Sequence, residues 1–306
     1  MVGYGGLRDM SSIIESALEV YNLNWLSRFK SCGKLFIGLR CSNCGKPLAI
    51  PSTCKLRVCP SCSKKIASKL FRKYLPLFKG LIRCGLLSLL TLTIRNIYNM
   101  EIGIIKLKKC IHEFLKKRYV RKRIIGGIYA IEVKEDENGW FNIHVHFLIV
   151  HKYFGRPSKS EIRHLKIPSR LQDISKDDLI NNSYIYINGD KVAVGQLVLS
   201  AFWEQISGDP VIDIRRVRSP KAGLRYVLKY VLKPPRFSTV EAYVEFLRAF
   251  KHKPRVVPLG GCRGSVIEEK YKLKCDYCGS SSFVFVRLLY GEEIEEFLLQ
   301  ESPPGG

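Results

Sequence analysis

The chain has 306 residues, 46% of them apolar, which is enough for one large domain or two to three small ones with a packed core. Lys and Arg outnumber Asp and Glu by 51 to 27, and the net charge of +24 favours a polyanionic partner, nucleic acid above all. No apolar run approaches the roughly 18 residues of a membrane-spanning helix, and the N-terminus lacks the basic head and apolar core of a signal peptide. We therefore expect a cytoplasmic protein without a membrane partner.

The first 80 residues are predicted to form a helical segment, 1–30, and a cysteine-rich module, 31–80. A basic helix over 63–74 closes the module, and Pro76 lies just past its predicted end. Apolar side chains of this helix repeat at helical spacing and form one stripe. The remaining surface is basic and is predicted to contact DNA phosphates through Lys64, Lys65, Lys69, Arg72 and Lys73.

Eleven cysteines occur in the chain, several in Cys-x-x-Cys pairs, and without an export signal this favours metal sites over disulfides. Two of the pairs stand fourteen residues apart, which is the spacing of a zinc ribbon. We expect one structural Zn²⁺ to be held by the four thiolates of Cys41, Cys44, Cys59 and Cys62. Cys32 and Cys54 lie close enough in the sequence to replace one of these ligands or to join a second site.

A third pair, Cys275 and Cys278, predicts a further zinc knuckle near the C-terminus. The pair supplies only two of the four ligands that a tetrahedral zinc requires. The other ligands stay open between Cys262 and His252. Together with one more helix, this knuckle makes up a predicted C-terminal segment, 236–306.

Between these segments the sequence alternates between strand-like and helix-like patterns. Strands are predicted over 86–96, 126–134, 140–150 and 210–217, and helices over 104–118, 195–206 and 219–235. Asn-Gly in the connection "EDENG" marks a hairpin between the second and third strands. The order β-α-β-β-α-β-α predicts an α+β domain over 84–235, with an antiparallel sheet and helices packed on one face. Residues 153–195 are read as an insertion into it.

The strand "NIHVHFLIV" carries His144 and His146 two residues apart, so both imidazoles point to one face of the sheet. If the apolar faces of the predicted hairpin pack on one core, Glu132 shares the histidine face. Two imidazoles and one carboxylate leave a divalent ion with open positions for water or a phosphate oxygen. The alternative is a pair of buried, hydrogen-bonded histidines. His151 has the opposite parity and is not expected to be a ligand.

The last predicted helix of the domain begins at the N-cap Ser219 and ends before Pro234. Tyr226 and Tyr230 lie one turn apart and off the apolar stripe. They are interpreted either as nucleophiles or as surface aromatics that stack on each other or on a base. A tyrosine nucleophile needs a cation or a metal-polarised phosphate, since its pKa is near 10.

Basic residues outside the first module are predicted to add phosphate contacts. The run "KKRYVRKR" over 116–123 has six basic side chains in eight positions. The other candidates are Arg215 and Arg216 on the predicted strand 210–217, and Lys229 and Lys233 on the predicted tyrosine helix.

Three features of the sequence, taken in order, resemble the three motifs of rolling-circle replication initiators of the HUH endonuclease superfamily. They are the strand "LLTLT" over 89–93, the sequence His144-Val145-His146, and the helix "YVLKYVLK". The resemblance covers about 31–235 and includes a zinc module before the catalytic domain. It implies a ferredoxin- or RRM-like core. It also implies Mg²⁺ or Mn²⁺ on His144, His146 and Glu132, with Tyr230 as the primary nucleophile and Tyr226 as the second.

The implied activity is nicking and joining of single-stranded or hairpin DNA at a replication origin through a 5′-phosphotyrosine intermediate. The sequence has no P-loop, so a host DNA polymerase and a separate helicase are expected partners. One alternative is a transposase with the same chemistry, related to the two-tyrosine HUH transposases. A second is a non-catalytic zinc-ribbon DNA-binding regulator, and a third is a metal hydrolase acting on a small phosphoester.

Overall fold

The computed structural model describes residues 10–264 and 273–300, with backbone only for Met10, Val231 and Leu232. Parts of the predicted C-terminal segment, 265–272 and 301–306, lie outside the described residues. The chain divides into two compact units, Met1–Lys65 with Ile267–Gly306, and Ile66–Val266. The four predicted segments are thus regrouped, because a C-terminal strand pairs with the N-terminal module.

The elements are numbered in chain order. The helices are α1 (Met10–Tyr21), α2 (Leu23–Lys30), α3 (Pro60–Leu81), α4 (Met100–Lys116), α5 (Arg118–Arg121), α6 (Lys176–Asn181), α7 (Val194–Ser207), α8 (Pro220–Leu232), α9 (Val240–Ala249) and α10 (Glu293–Leu299). The strands are β1 (Leu35–Cys41), β2 (Pro47–Pro51), β3 (Leu86–Ile97), β4 (Ile124–Glu135), β5 (Phe141–His151), β6 (Tyr184–Ile187), β7 (Asp190–Ala193), β8 (Ile212–Arg216), β9 (Val256–Gly260) and β10 (Phe283–Tyr290). No described helix combines the length and apolar character needed to cross a bilayer.

The first unit is built on a three-stranded antiparallel sheet in the order β10-β1-β2. The predicted N-terminal helical segment consists of two helices, α1 and α2. A new helix begins after Asn22, because the Asn22 side chain accepts a hydrogen bond from the Trp25 N–H (3.1 Å) and caps α2. The strands β1 and β2 were not predicted, since the cysteine-rich stretch has few periodic apolar positions. Pairing of β10 with β1 brings the C-terminal cysteine pair into this unit.

The second unit contains a five-stranded sheet in the order β8-β3-β5-β4-β9, in which all neighbours are antiparallel. The predicted α+β class and antiparallel sheet are confirmed, as is the hairpin of β4 and β5. At the hairpin tip Gly139 has a φ of +77°, and the Asp136 carboxylate accepts hydrogen bonds from the Asn138 and Trp140 N–H groups. Strand β9 adds an edge strand that the sequence pattern did not reveal.

Helices cover both faces of this sheet, where one covered face was predicted. On the face of Ile143 and Phe147, Gly103 of α4 packs so closely that a Cβ would lie 2.5 Å from Ile97. Trp203 of α7 is fully buried and donates its Nε1–H to the Thr93 carbonyl oxygen (2.9 Å). The histidine face also carries apolar side chains beyond the histidines, and these need cover. They form a core with α3 and α8 that includes Tyr74, Phe78, Ile128, Leu148, Val150, Leu224, Val227 and Leu228.

Helix α3 is longer than the sequence indicated. It was predicted over 63–74 with Pro76 past its end, and it runs from Pro60 to Leu81 with Pro76 inside. An internal proline removes one backbone hydrogen bond and costs roughly 3 kcal/mol. Tyr74 and Phe78 are buried on either side of it, so apolar packing offsets the loss.

Arg123 lies at the end of the run 116–123, which was predicted to contact phosphates. Its guanidinium is mostly buried and forms an ion pair. Its Nη1 lies 2.8 Å from the Glu161 carboxylate, and the two side chains are 14% and 6% exposed. The guanidinium carbon lies 3.9 Å from the centre of the Tyr119 ring, and Nη1 also donates to the Tyr119 carbonyl oxygen. The prediction was wrong for this residue, since Arg123 instead ties the insertion, through Glu161, to the end of α5.

We expect Arg123→Ala to lower the free energy of unfolding by about 3–5 kcal/mol, because Glu161 would remain a buried carboxylate without its partner. The exposed neighbour Lys122 provides a matched control, and Lys122→Ala should change stability by less than about 0.5 kcal/mol. Urea unfolding followed by circular dichroism measures both values. Equal losses for the two variants would contradict the structural role of Arg123.

Candidate active site and metal centres

Two groups of four cysteines occur in the first unit, and all donor atoms within each group lie within 4.8 Å of one another. One group is Cys32, Cys54, Cys59 and Cys62. The other is Cys41, Cys44, Cys275 and Cys278. All eight thiols are free.

The sulfur spacings in both groups suit a tetrahedral zinc thiolate site. In the first group the Sγ atom of Cys62 lies 3.4 Å from that of Cys32 and 3.6 Å from that of Cys54. In the second group the Cys41–Cys278 distance is 3.5 Å and the Cys44–Cys275 distance is 3.6 Å. A tetrahedron with Zn–S bonds of about 2.3 Å has sulfur–sulfur edges of about 3.8 Å, whereas a disulfide bond is about 2.05 Å long. The donor sets therefore fit Zn²⁺.

Hydrogen bonding within each group lowers the pKa of one thiol and raises that of a neighbour, and thiolate is the form that binds metal. A hydrogen bond from Cys54 is the largest influence on Cys59 and helps to lower the Cys59 pKa to about 5, while the pKa of Cys54 is raised. In the second group burial alone would raise the pKa of Cys41, but backbone N–H groups of Cys44 and Asn43 help to lower it to about 6. Each group thus contains a thiol that ionises readily.

These groups correct the predicted zinc ribbon. Cys41 and Cys44 do not share a site with Cys59 and Cys62, because the β1–β2 hairpin and the loop after it separate the two pairs. Cys32 and Cys54 complete the site of Cys59 and Cys62, in line with the prediction that they could join a second site. Cys275 and Cys278 share their site with Cys41 and Cys44. The predicted partners, Cys262 and His252, do not belong to it. Cys262 is instead buried in the apolar core of the second unit, and His252 is an exposed residue of that same unit.

In the second unit, strand register brings the predicted histidine site together. His146 lies opposite Thr91 on β3, and His144 lies opposite Thr93 on β3 and Glu132 on β4. The Nδ1 atoms of His146 and His144 lie 3.2 and 2.9 Å from the hydroxyl oxygens of Thr91 and Thr93. These contacts orient both rings and leave Nε2 as the nitrogen available for a ligand or a carboxylate.

Glu132 contacts His146 directly, with 3.0 Å between Oε2 and Nε2. Burial alone would raise the Glu132 pKa, but the hydrogen bond with His146 and the charge of Lys134 lower it, so the group is a carboxylate. Burial is the main reason that the pKa of His144 falls to about 4, and Lys134 lowers it further. His144 is therefore a neutral imidazole at pH 7, which is the form that binds metals.

The donor set fits a divalent cation, since two imidazole nitrogens and one carboxylate lie on this face. In the described residues, however, only the two cysteine groups have three or more donor atoms within 4.8 Å of one another. The carboxylate of Glu132 is engaged by His146, so a cation would have to replace that hydrogen bond. His144, His146 and Glu132 are the residues that would hold it.

Helix α8 carries the two tyrosines over this face. The Ser219 Oγ accepts the Ala222 N–H (3.4 Å), which starts the helix where the N-cap was predicted. The Tyr230 ring stacks on His146, with 3.6 Å between the centroids and 7° between the planes. Tyr226 meets His146 edge-on at 6.3 Å. The predicted nucleophile thus lies against a predicted ligand.

The tyrosine pair has its own cation. Lys229 Nζ lies 3.9 Å from the ring centre of Tyr226 and 4.8 Å from that of Tyr230, and the two rings meet edge-on at 5.5 Å. Burial is the main reason that the Tyr230 pKa is raised, and hydrogen bonding to Tyr226 adds to the effect. Tyr230 is therefore a neutral phenol at pH 7.

Most of the predicted phosphate-binding residues are exposed. The exposed side chains are Lys64, Lys65, Lys69, Arg72, Arg215, Arg216, Lys229 and Lys233, and Lys73 is partly buried. On β8, Arg215 lies on the histidine face and forms an ion pair with Asp213 (2.8 Å), while Arg216 lies on the opposite face. Asp213 was not singled out from the sequence, although its register opposite Thr91 places it in the same cross-strand row as His146.

Comparison with known protein families supports the resemblance. Residues 45–167, about two fifths of the chain, match the model of a family described as "Replication protein". The match supports a rolling-circle replication initiator, and it includes the histidine strand and Glu132 but not the tyrosine helix. A relation to two-tyrosine transposases is not confirmed. A search of curated proteins gave no match.

The purified protein should contain two zinc ions per chain, measured by elemental analysis. Cys275→Ser with Cys278→Ser should leave one zinc, since the first cysteine group keeps all four ligands. Cys262→Ser is the matched control and should retain both ions in its folded fraction. Two zinc ions in the double variant, or a single ion in the unaltered protein, would contradict the pairing of the cysteines.

Proposed function

From the similarity of residues 45–167 to replication proteins, we propose that this chain nicks and joins single-stranded DNA to initiate rolling-circle replication. The observation that carries the proposal is the stacking of Tyr230 on His146, which is itself hydrogen-bonded to Glu132. A candidate nucleophile and three candidate metal ligands therefore form one contiguous group. The net charge of +24 is consistent with a nucleic acid substrate.

The proposed reaction is a transfer of the phosphoryl group from one oxygen to another. The Tyr230 Oη attacks the scissile phosphorus, the Oη–P bond forms, and the bond from phosphorus to the 3′ oxygen breaks. The phenolic proton goes to the leaving oxygen, directly or through water, so the products are a 5′-phosphotyrosine and a free 3′-OH. No water is consumed, so the bond energy is retained for rejoining, and the 3′-OH can prime a host DNA polymerase.

The residues around the phenol have complementary tasks in this scheme. Since the Tyr230 pKa is raised in the free protein, ionisation needs positive charge nearby. Lys229, within 5 Å of both rings, supplies one such charge. When bound by His144, His146 and Glu132, Mg²⁺ or Mn²⁺ supplies Lewis acidity that polarises the scissile phosphate. Thr91 and Thr93 hold the imidazoles in orientation.

Tyr226 is proposed as a second nucleophile. It lies one helical turn before Tyr230 and further from His146, so it is less directly coupled to the metal ligands. After the first cleavage Tyr230 carries the 5′ end. A second phenol in the same cleft allows another strand to be cut and exchanged before the first is released.

Two other functions would use parts of the same chain. A transposase would perform identical chemistry on transposon ends, and the family match to replication proteins favours the initiator. A non-catalytic zinc-ribbon regulator would bind DNA without needing the contact between Tyr230 and His146. Because the sequence has no P-loop, the proposed initiator depends on a separate helicase for unwinding.

His144→Gln with His146→Gln should reduce Mn²⁺-dependent nicking of a single-stranded oligonucleotide by at least about 100-fold, because both imidazole ligands are lost. Binding of the same oligonucleotide should change less than about threefold. The matched control is His151→Gln. This buried histidine lies on the same strand and contacts Ser88 and the Lys152 carbonyl oxygen, outside the site. Nicking that survives in the double variant would remove the metal assignment.

Tyr230→Phe should abolish the first covalent protein–DNA adduct, because the variant lacks the attacking oxygen while keeping the ring that stacks on His146. Tyr226→Phe should retain that adduct and impair strand exchange. Tyr153→Phe, at an exposed tyrosine outside the site, should alter neither result. Denaturing gels and mass spectrometry of the crosslinked peptide provide the measurement. An adduct on Tyr226 alone would reverse the two roles, and nicking without an adduct on either tyrosine would exclude the mechanism.

A further inference from the structure

The insertion 153–195, which the proposed chemistry does not use, contains a regular β-hairpin. Strands β6 and β7 pair from Tyr184–Ala193 to Ile187–Asp190 around a two-residue turn. The turn residues Asn188 and Gly189 have φ angles of 51° and 88°, as a tight hairpin turn requires. The element is therefore short and stiff, and its two faces are defined by alternation along the strands.

One face of the hairpin is turned toward the domain. Ile187, Asp190 and Val192 lie on one face, because Ile187 pairs with Asp190, and they line a cavity of about 290 Å³. Ile212 of β8 and Arg170 line the same cavity. This face is thus anchored beside β8, the edge strand of the catalytic sheet.

The opposite face presents two tyrosines and a lysine to solvent. Tyr184 and Tyr186 are 48% and 69% exposed, although the rest of this unit buries most of its large aromatic side chains. Lys191 lies directly opposite Tyr186, and its Nζ is 4.5 Å from the centre of the Tyr184 ring. A cation and two exposed rings on one stiff face form a surface suited to bases and phosphates.

We propose that this tyrosine face, Tyr184 with Tyr186 and Lys191, is a base-stacking platform for the single-stranded DNA on which the active site works. The identity of the ligand rests on the proposed function, while the platform itself rests on the geometry of the hairpin. Tyr184 and Tyr186 each stack on one base, and Lys191 neutralises a phosphate between them. Every base has a π face, so the platform binds DNA with little sequence preference.

The spacing of the rings selects single strands. Residues two apart on one strand are about 6.7 Å apart, whereas successive bases in a duplex strand are about 3.4 Å apart. Neighbouring bases can cover both rings only where the strand is stretched and its bases are unstacked. Duplex DNA also hides its base faces in the stack, so it would contact Lys191 but neither ring.

The position of the hairpin connects the platform to the site. Strand β8 pairs with β3, and Thr91 of β3 contacts His146. Arg215 lies on the site face of β8, whereas Ile212 of the same edge strand, which borders the hairpin cavity, lies on the opposite face of the sheet. We expect a DNA strand that leaves the site to pass Arg215 and turn around the edge strand β8 toward the side of the sheet on which the hairpin lies. The hairpin would then hold the flanking DNA while the scissile phosphate is positioned.

The test measures binding without cleavage, in a Tyr226→Phe, Tyr230→Phe background. Fluorescence anisotropy follows a labelled oligothymidylate and, in parallel, an abasic oligonucleotide of equal length that keeps the phosphates and lacks the bases. Tyr184→Ala with Tyr186→Ala should weaken oligothymidylate binding by about 10-fold or more and leave abasic binding unchanged. Tyr184→Phe with Tyr186→Phe is the matched control and should bind as the background protein does, because the rings remain.

Lys191→Gln should weaken both probes equally and reduce the salt dependence of binding. Unchanged oligothymidylate binding in the double alanine variant would overturn the platform and leave the nicking proposal standing. Equal losses of oligothymidylate, abasic and duplex binding in the double alanine variant would also overturn it, since the two tyrosines would then not act by stacking on bases. Loss of self-association without loss of DNA binding would assign the face to a second copy of the chain instead. If neither the background protein nor any variant binds single-stranded DNA, the proposed function is contradicted as well.

Discussion

Antiparallel pairing of β5 with β3 and β4 is the constraint on which the candidate site depends. The register sets Thr93, His144 and Glu132 side by side, and Thr91 beside His146, so that five polar groups share a face otherwise filled by Ile128, Leu148 and Val150. A slip of one residue in β5 would turn both imidazoles toward α4 and α7 and move Val145 and Phe147 out of the apolar packing on that face. The loss of that apolar burial opposes any such slip, so the same packing that stabilises the sheet also fixes the chemistry on its other face.

A polar row of this kind is tolerated inside a covered sheet because each group has a partner. The threonine hydroxyls engage the two Nδ1 atoms, Glu132 engages His146, and Tyr230 covers the His146 ring. Without these contacts the buried imidazole of His146 and the partly buried His144 and Glu132 would each cost free energy through lost hydration. Helix α8 satisfies two requirements together, since Leu224, Val227 and Leu228 pack into the core while its tyrosines lie over the polar row.

Much of this site could be predicted from the sequence because its signals are local. Alternation along β5, the Asn-Gly turn and the Ser219 cap each act within a few residues, and they predict that His144, His146 and Glu132 share one face and that a helix carries the tyrosines. The packing of that helix over the histidine face is a tertiary contact that local signals do not contain. The cysteine sites could not be paired in the same way. Their ligands come from segments up to 237 residues apart, and spacing within Cys-x-x-Cys says nothing about which pairs meet. Burial of Arg123 was equally hidden, since its partner Glu161 lies in an insertion without periodic pattern.

The pairing of Cys41 and Cys44 with Cys275 and Cys278 bears on how the chain matures during translation. The ribosome synthesises the whole of the second unit before the last two ligands of that site, so the site is completed only after the second unit has been made. The cysteine group of Cys32, Cys54, Cys59 and Cys62, in contrast, is available early. Cys275, Cys278 and strand β10 follow the second unit and close a long loop, whose entropic cost rises only slowly with length. Metal capture at the second site would therefore mark a chain whose second unit has already been synthesised.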